Sequence, residues 1–560
     1  GHKVRAGKAA TRIGIPPAQA AADPAQIAVR TTTGMFNRGM GDSGLWARTI
    51  AKRKGMMGRR RLGFKGFMLD RPWPGWPING LSHSGGRMRI RSIAIAVLLL
   101  PIAAPLCAQE TYDIVILNGR VMDPESGRDQ IANVGVRAGQ IAAVTVEQIR
   151  GRIEIDATGL LVAPGFIDIL ASVRPAREAH IQKVSDGVTT SFGMHGGPLD
   201  VATYQERMLA AEPLVNYAVA VGHAALRRAA GATDGYKPAT PEQIERMKEL
   251  AGDAIRAGAV GIGFGLNYTP GASYEEVFAL FEVAAAHNVP CHLHARYKGN
   301  VFPGTMSLAA MEVIAIAAAT GAQAQLAHLI SSTVGSAPLS IALAEGAAQR
   351  GVDIGFDFHI WTRNQTGLKS ALYDEGWQER FGGATYSDIY VASTQERLTK
   401  ERFDELRAAP TGVSVQTEFI PEAEIEMGLR SPLGIVSSDG GGLRDGRGHP
   451  RSVGTFSRFL GRYVRDRKVL DWMDGLRRIT VLPASRLERA VPRMKRKGRL
   501  QVGMDADITV FDPGSVRERA TYQEPYHLSE GIMYVLVNGS LVMERGGIVD
   551  GVAPGQWLRH

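Results

Sequence analysis

Five of the thirteen histidines, His195, His223, His294, His328 and His359, and the carboxylate Asp439 each close a short apolar run in a different part of the chain. One imidazole at the end of an apolar segment is ordinarily a hydrogen-bonded structural residue; its recurrence at corresponding ends reads as a metal site. Neutral imidazole suits zinc and related divalent ions, and a neighbouring carboxylate can both ligate such an ion and take the proton of the water it activates. Cations suited to an acidic substrate stand close by, Arg296 two residues past His294 and Arg451 in "GHPR". A guanidinium grips a carboxylate through two parallel bonds. Tyr268, in "NYTPGA", adds a hydroxyl.

Eight runs carry or flank these residues: "GFIDIL" at 165, "TTSFGMH" at 189, "NYAVAVGH" at 216, "AVGIGFGL" at 259, "VPCHLHA" at 289, "AQLAHL" at 324, "VDIGFDFH" at 352 and "LGIVSSDG" at 433. Between them lie amphipathic or Ala-rich segments. "PEQIERMKELAGDAIRAG", for example, opens on Pro241 and Glu242 and stops at Gly258, in keeping with helix start and stop preferences. Apolar strands alternating with helices predict the α/β class with parallel strands. Eight units predict a (β/α)8 TIM barrel, although periodicity alone leaves a doubly wound open sheet as an alternative. In a barrel the C-terminal strand ends form the active-site face, where the run-ending residues would gather.

The flanks read differently. "YDIVILNGRVMD" and "IANVGVRAGQIAAV" near the front, with "ADITVFD" and "GIMYVLVNGSLVMERG" near the end, alternate with turns at Asn-Gly, the pattern of short antiparallel strands. The expected organisation is an extension at 1–87, disordered or untranslated; a signal peptide at 88–108; the two parts of a small β-sandwich domain at 109–163 and 491–560; and the barrel at 164–490.

The formal charge of +10 suggests a polyanion partner until its location is considered. Residues 1–108 hold 18 Lys/Arg against 3 Asp/Glu, which leaves 47 basic against 52 acidic residues in the rest. The body is mildly acidic, so no nucleic-acid partner is expected. From Met88 a basic start, an apolar run from Ile93 to Ala104 and small residues near Ala108 read as a secretory signal. The run is shorter than the roughly 20 residues of a spanning helix, so no stable membrane anchor is expected. A periplasmic or secreted protein follows as the expected location. Only Cys107 and Cys291 occur, too few for a disulfide framework. "GIGFGLNYTPG" lacks the order of a phosphate-binding loop, its glycines being assigned to strand packing, and "RLERAVPRMKRKGRL" reads as a solvated face.

Over roughly Tyr112 to the C-terminus the chain resembles the amidohydrolase superfamily, within it the D-aminoacylase and D-glutamate deacylase branch. The motifs that carry the resemblance are "VAPGFID" at 162, "DGVTT" at 186, "NYTPGA" at 267, "HLHAR" at 292, "AHL" at 327, "SSDGG" at 437, "GHPRSVGTFSRFLGRYVR" at 448 and "KGRLQVGMDADITVFDP" at 497. The resemblance implies His294 and His328 as metal ligands, Asp439 as ligand and general base, and Arg451 as a carboxylate-binding residue. After the second strand the branch offers Cys or Glu as a further ligand; here "FGMHGG" makes His195 the substitute. The histidine pair expected after "GFID" is absent, its positions holding Leu170 and Ser172. Where the family often has a Lys or Asn two places past His328, this chain has Ile330.

The expected site is therefore one divalent metal ion, with zinc the first choice, held by His195, His294 and His328 beside Asp439. Asp439 would act as base and then acid in hydrolysis of a linear amide, and His223 would steady the oxyanion. Arg451, Arg296 and Tyr268 would bind the substrate, with Arg451→Lys mainly raising KM. The expected enzyme is a metal-dependent amidohydrolase acting on C–N bonds other than peptide bonds, on a small-molecule N-acyl amino acid, D in configuration, or a related amide. A homo-oligomer is left open. The alternatives are a cyclic amide hydrolase, disfavoured because "GFGLNY" offers no Lys at the fourth strand end, and an inactive barrel that kept its pocket.

Overall fold

The computed structural model describes residues 111–560 apart from Val173 and Arg444. The basic extension at 1–87 and the signal segment at 88–108 lie outside the described residues.

All eight apolar runs are strands: β1 (Phe166–Asp168), β2 (Val188–Gly193), β3 (Asn216–Val219, resuming at Val221–Gly222), β4 (Ile262–Gly265), β5 (Cys291–His294), β6 (Ala324–Leu326), β7 (Ile354–Phe358) and β8 (Gly434–Val436). Each pairs in parallel with its sequence neighbour: β1 through β3 in one run, then Val221–Gly222 onward through β4 to β8 in another. The two runs join into a closed barrel at both seams. Ala220 interrupts the third strand between its two halves. Across the other seam Ala171 bridges Gly440, the Asp439 amide donates to the Leu170 carbonyl at 2.8 Å and the Ser172 amide to the Gly440 carbonyl at 2.9 Å. Burial explains why the strands read as unbroken apolar runs, for both their faces are covered, by the barrel interior and by the outer helices.

Helices between the strands follow their local chemistry. The helix Pro241–Arg256 begins at Thr240, which exchanges side-chain bonds with Gln243 in a capping box, and Gly258 behind it adopts φ +112°. The glycines of "GIGFG" are explained by close approach: a Cβ on Gly263 would stand 2.5 Å from the Met194 carbonyl and 2.8 Å from the Gly196 amide. The fourth strand is thus glycine where the loop carrying His195 crosses it.

The two chain ends meet in one nine-stranded sheet. Leu161–Pro164 lies between Tyr112–Asp123, which it joins in parallel, and Ile508–Phe511, which it meets antiparallel. This sheet has its own apolar core, including Ile116, Val134, Val162, Ile508 and Leu536.

One element escaped the sequence reading. The long connection 359–433 between β7 and β8 holds a small antiparallel sheet of Thr366–Gly367, Ile389–Val391 and Ser414–Thr417 with a separate aromatic core of Tyr373, Trp377, Phe381 and Phe403. Its residues Asn364, Gln365 and Leu372 reach the pocket at the barrel mouth. Among the described residues no helix is long and apolar enough to cross a membrane.

Candidate metal centre and catalytic pocket

His195 follows β2, His294 ends β5 and His328 stands two residues past β6. The barrel brings the three together, with one ring nitrogen of each lying within 4.8 Å of the others. They line a cavity of about 200 Å³ with Ser172, Tyr268, Lys298, Asp439 and Arg451.

The ring nitrogens are arranged as ligands. His294 Nδ1 and His328 Nε2 are 3.1 Å apart, close to the about 3.3 Å that separates two donors each about 2.0–2.1 Å from a tetrahedral ion. The opposite nitrogens are held from behind. Ser331 Oγ lies 3.2 Å from His328 Nδ1 and donates to the His328 carbonyl, so it can accept from the ring. The Asn267 amide touches His294 Nε2 while its Oδ1 has no other partner; turned so that Oδ1 faces the ring, it accepts the Nε2 proton. His195 Nδ1 is buried without a hydrogen bond, 3.7 Å from Asp439 Oδ1. An outer hydrogen bond that fixes the tautomer, present at His294 and His328, and inner nitrogens that face one another are what a metal centre requires, so the residues present fit a divalent ion. Burial holds His294 and His328 well below the ordinary histidine pKa and lowers His195 as well, so all three are neutral, as ligands must be.

Backbone strain accompanies the arrangement. His328 adopts φ +33° and Asp439 φ +48°, left-handed conformations that cost of order 1–3 kcal/mol each for residues with side chains. Asp357 on β7 offsets part of that cost. Its buried carboxylate accepts from the His328 amide at 3.2 Å, from Ser437 Oγ at 2.8 Å and from His292 Nε2 at 2.7 Å, tying β5, β6 and β8 together beneath the site.

The other expected site residues separate into those that arrive and those that do not. Asp439 arrives, with Oδ1 toward His195 and Oδ2 paired at 2.9 Å with Arg451 Nη1. Arg451 also lines the pocket, pairing with Asp439 through that one guanidinium nitrogen. Tyr268 lines the pocket with its ring edge on His294, accepts a hydrogen bond from Thr366 at 3.2 Å, and is held protonated by burial, its pKa pushed up to about 12. Its own proton therefore remains available. Two expectations are corrected. His223 does not face the pocket: it opens the helix His223–Ala229, and its Nε2 lies 2.6 Å from Glu276 Oε1, which also pairs with Arg227. It does not line the pocket, whereas Tyr268 does. Arg296 likewise turns away, bonded to both Glu312 oxygens and to the Ala272 carbonyl. Past Ala295 the strand has ended, so the two-residue spacing from His294 no longer keeps side chains on one face. His359 is buried beside the site, with Nδ1 accepting from the Trp361 amide. His180, near the missing pair, is committed to the Arg174 carbonyl and the Leu214 amide.

Sequence reasoning passed over Lys298. Its ammonium lies in the same pocket, bonded to the Ser331 carbonyl, and burial draws its pKa down to about 7. Two basic residues in "HARYKGN" were the available signal.

A closed parallel barrel with imidazoles and a carboxylate at its C-terminal strand ends defines a metal-dependent hydrolase of the amidohydrolase type. Comparison with known proteins agrees. Residues 435–543 match the amidohydrolase family. The chain is 32% identical to the N-acyl-D-glutamate deacylase of Alcaligenes xylosoxydans xylosoxydans over 81% of its own length and 97% of that protein's. The crystal structure of N-acyl-D-glutamate deacylase from Bordetella bronchiseptica, complexed with zinc and a phosphonate mimic of the tetrahedral intermediate, superposes with a TM-score of 0.70 at 30% identity, covering 80% of this chain and all of that one. A D-aminoacylase structure at 26% identity matches equally, TM-score 0.70 with the same coverage, and is described as having a binuclear metal centre activated by one metal and attenuated by the second. The chain belongs to the amidohydrolase family, in the branch that includes D-aminoacylase and N-acyl-D-glutamate deacylase.

Proposed function

We propose that this protein hydrolyses the amide bond of N-acyl-D-amino acids at a mononuclear zinc site. The observation that carries the reading is the convergence of His195, His294 and His328 beside Asp439 in one pocket, on a chain similar over 81% of its length to N-acyl-D-glutamate deacylase.

His195, His294 and His328 would hold a divalent ion, which would supply Lewis acidity to the scissile carbonyl and the attacking water. The protein groups do the rest. Asp439 Oδ1, toward the histidines, takes the water proton and passes it to the departing nitrogen, while Arg451 on Oδ2 fixes the carboxylate's orientation. Tyr268 donates to the oxygen on which charge develops. At the first strand Leu170 is fully buried in the core and the Ser172 amide is tied to Gly440; with no imidazole at either position, the chain offers the histidine ligands of one ion.

The test is metal content by elemental mass spectrometry together with turnover of N-acyl-D-glutamate, -aspartate and neutral N-acyl-D-amino acids. About one zinc per chain, lost in His294→Ala, with release of a free D-amino acid, supports the reading. A protein without stoichiometric metal after reconstitution, or a metal-loaded one that cleaves none of these amides, overturns it.

A further inference from the structure

Two cationic side chains, Lys298 and Arg451, line the pocket beside the histidines, and their situations differ. Arg451 pairs with Asp439 through Nη1. Lys298 is 4% exposed, and among the described residues no carboxylate pairs with it. Its ammonium has the Ser331 carbonyl as a hydrogen-bond partner and sits over two aromatic rings, 4.3 Å from the Phe419 centroid and 5.0 Å from that of Phe381. Carbonyl and ring faces offer partial negative charge to a cation but do not neutralise it. A buried lysine with no carboxylate in ion-pair contact is costly to charge, and one so placed at the wall of a substrate pocket leaves a place for an anion.

The position of Lys298 indicates which anion. It lines the metal pocket of about 200 Å³ and, with Leu372, also the adjoining cavity of about 620 Å³ that opens beyond it. Arg296, which borders that second cavity, is neutralised by Glu312. A substrate whose carbonyl lies among the histidines would have its carboxylate within the same small pocket.

The geometry points to Lys298 as a residue that binds the α-carboxylate of the substrate alongside Arg451, in the place where Arg296 is absent from the pocket. This rests on the deacylase reading. An ammonium is a point charge that accepts a carboxylate without a fixed angle, and the flanking rings exclude water from the pair. Burial lowers the lysine's pKa in the free protein, and a bound carboxylate would restore its charge.

The experiment compares the zinc-loaded protein with Lys298→Met and Lys298→Arg on N-acetyl-D-alanine, N-acetyl-D-glutamate and N-acetyl-D-alaninamide, alongside zinc content and melting temperature. Lys298→Met is expected to raise KM for both acids by a similar factor, between ten- and a thousand-fold, with kcat changed less than about threefold, while the amide is unaffected. Lys298→Arg is expected to recover part of the loss. An effect confined to N-acetyl-D-glutamate, an equal effect on the carboxamide, or no effect overturns the assignment. Wild type inactive on every substrate refutes the deacylase reading itself; Lys298 is then judged by thermal shift, where stabilisation by N-acetyl-D-glutamate in wild type, absent in Lys298→Met, upholds anion binding, and no stabilisation in wild type refutes it.

Discussion

Asp439 and Arg451 act as a unit, which changes what their substitution should do. Asp439→Asn leaves a side chain that cannot accept the water proton, so turnover is expected to fall by at least a thousand-fold while zinc content and fold persist; an active Asn variant refutes the base assignment. Because Arg451 orients that carboxylate, Arg451→Lys is expected to lower kcat, not mainly to raise KM as its motif alone suggests. Lys298 carries a stability consequence of opposite sign to its role in binding. Folding lowers its pKa from 10.5 to about 7 through burial. Between those values the unfolded chain takes up a proton that the folded chain refuses, so stability is lost as pH falls across this range and levels off below about 7. Lys298→Met removes the loss: in metal-free protein its melting temperature should exceed that of wild type, by a margin that grows from pH 10 toward pH 7. A variant that melts lower throughout contradicts the burial argument. With Leu170 and Ser172 replacing an imidazole pair, excess zinc is expected to leave activity unchanged, in contrast to the second-metal attenuation described for D-aminoacylase; inhibition by a second equivalent would show that another site forms.

At the scale of elements, the barrel was legible because each strand is buried and so reads as a short apolar run, and six of the eight runs carry a histidine or Asp439 at or near the end. The insertion 359–433 was not legible. Its core gathers aromatic residues from single-turn helices, a turn and the nine-residue helix Lys400–Ala408, too short to leave a sustained period of 2 or 3.6. The candidate site was legible where a residue sits at or just beyond a strand end, as His195, His294, His328 and Asp439 do, and misleading where a helix starts at once, as at His223, or where the strand has already ended, as at Arg296 and Lys298. The glycine of β4 gives this scale its own test. A methyl group at Gly263 would meet the backbone of Met194 and Gly196, displacing the loop that presents His195. Gly263→Ala should therefore weaken zinc binding at least tenfold, read by competition with a chromogenic chelator, in protein that remains folded by circular dichroism. Unchanged zinc affinity would mean that the loop moves without its histidine.

At the scale of the whole molecule, barrel and β domain are not separable pieces. Leu161–Pro164 hydrogen-bonds to strands from both chain ends before the chain turns into β1. A chain starting at Gln109 is expected to fold and hold zinc. One starting at Gly165 loses five strands of the sheet and exposes the apolar faces of Ile508–Phe511 and Ile532–Val537, so it should be recovered as aggregate; a soluble, zinc-binding product would show that the barrel stands alone. The seam that closes the barrel has a consequence in time. The three imidazoles come from the second, fifth and sixth strands, whereas Asp439 lies on the closing strand, docked through Leu170 and next to a Ser438–Asp168 bond spanning 270 residues of sequence. A chain still being synthesised can assemble its metal cage before it possesses a base. Catalytic competence is thus acquired only with closure of the ring, and the first turnover reports that the ring has shut.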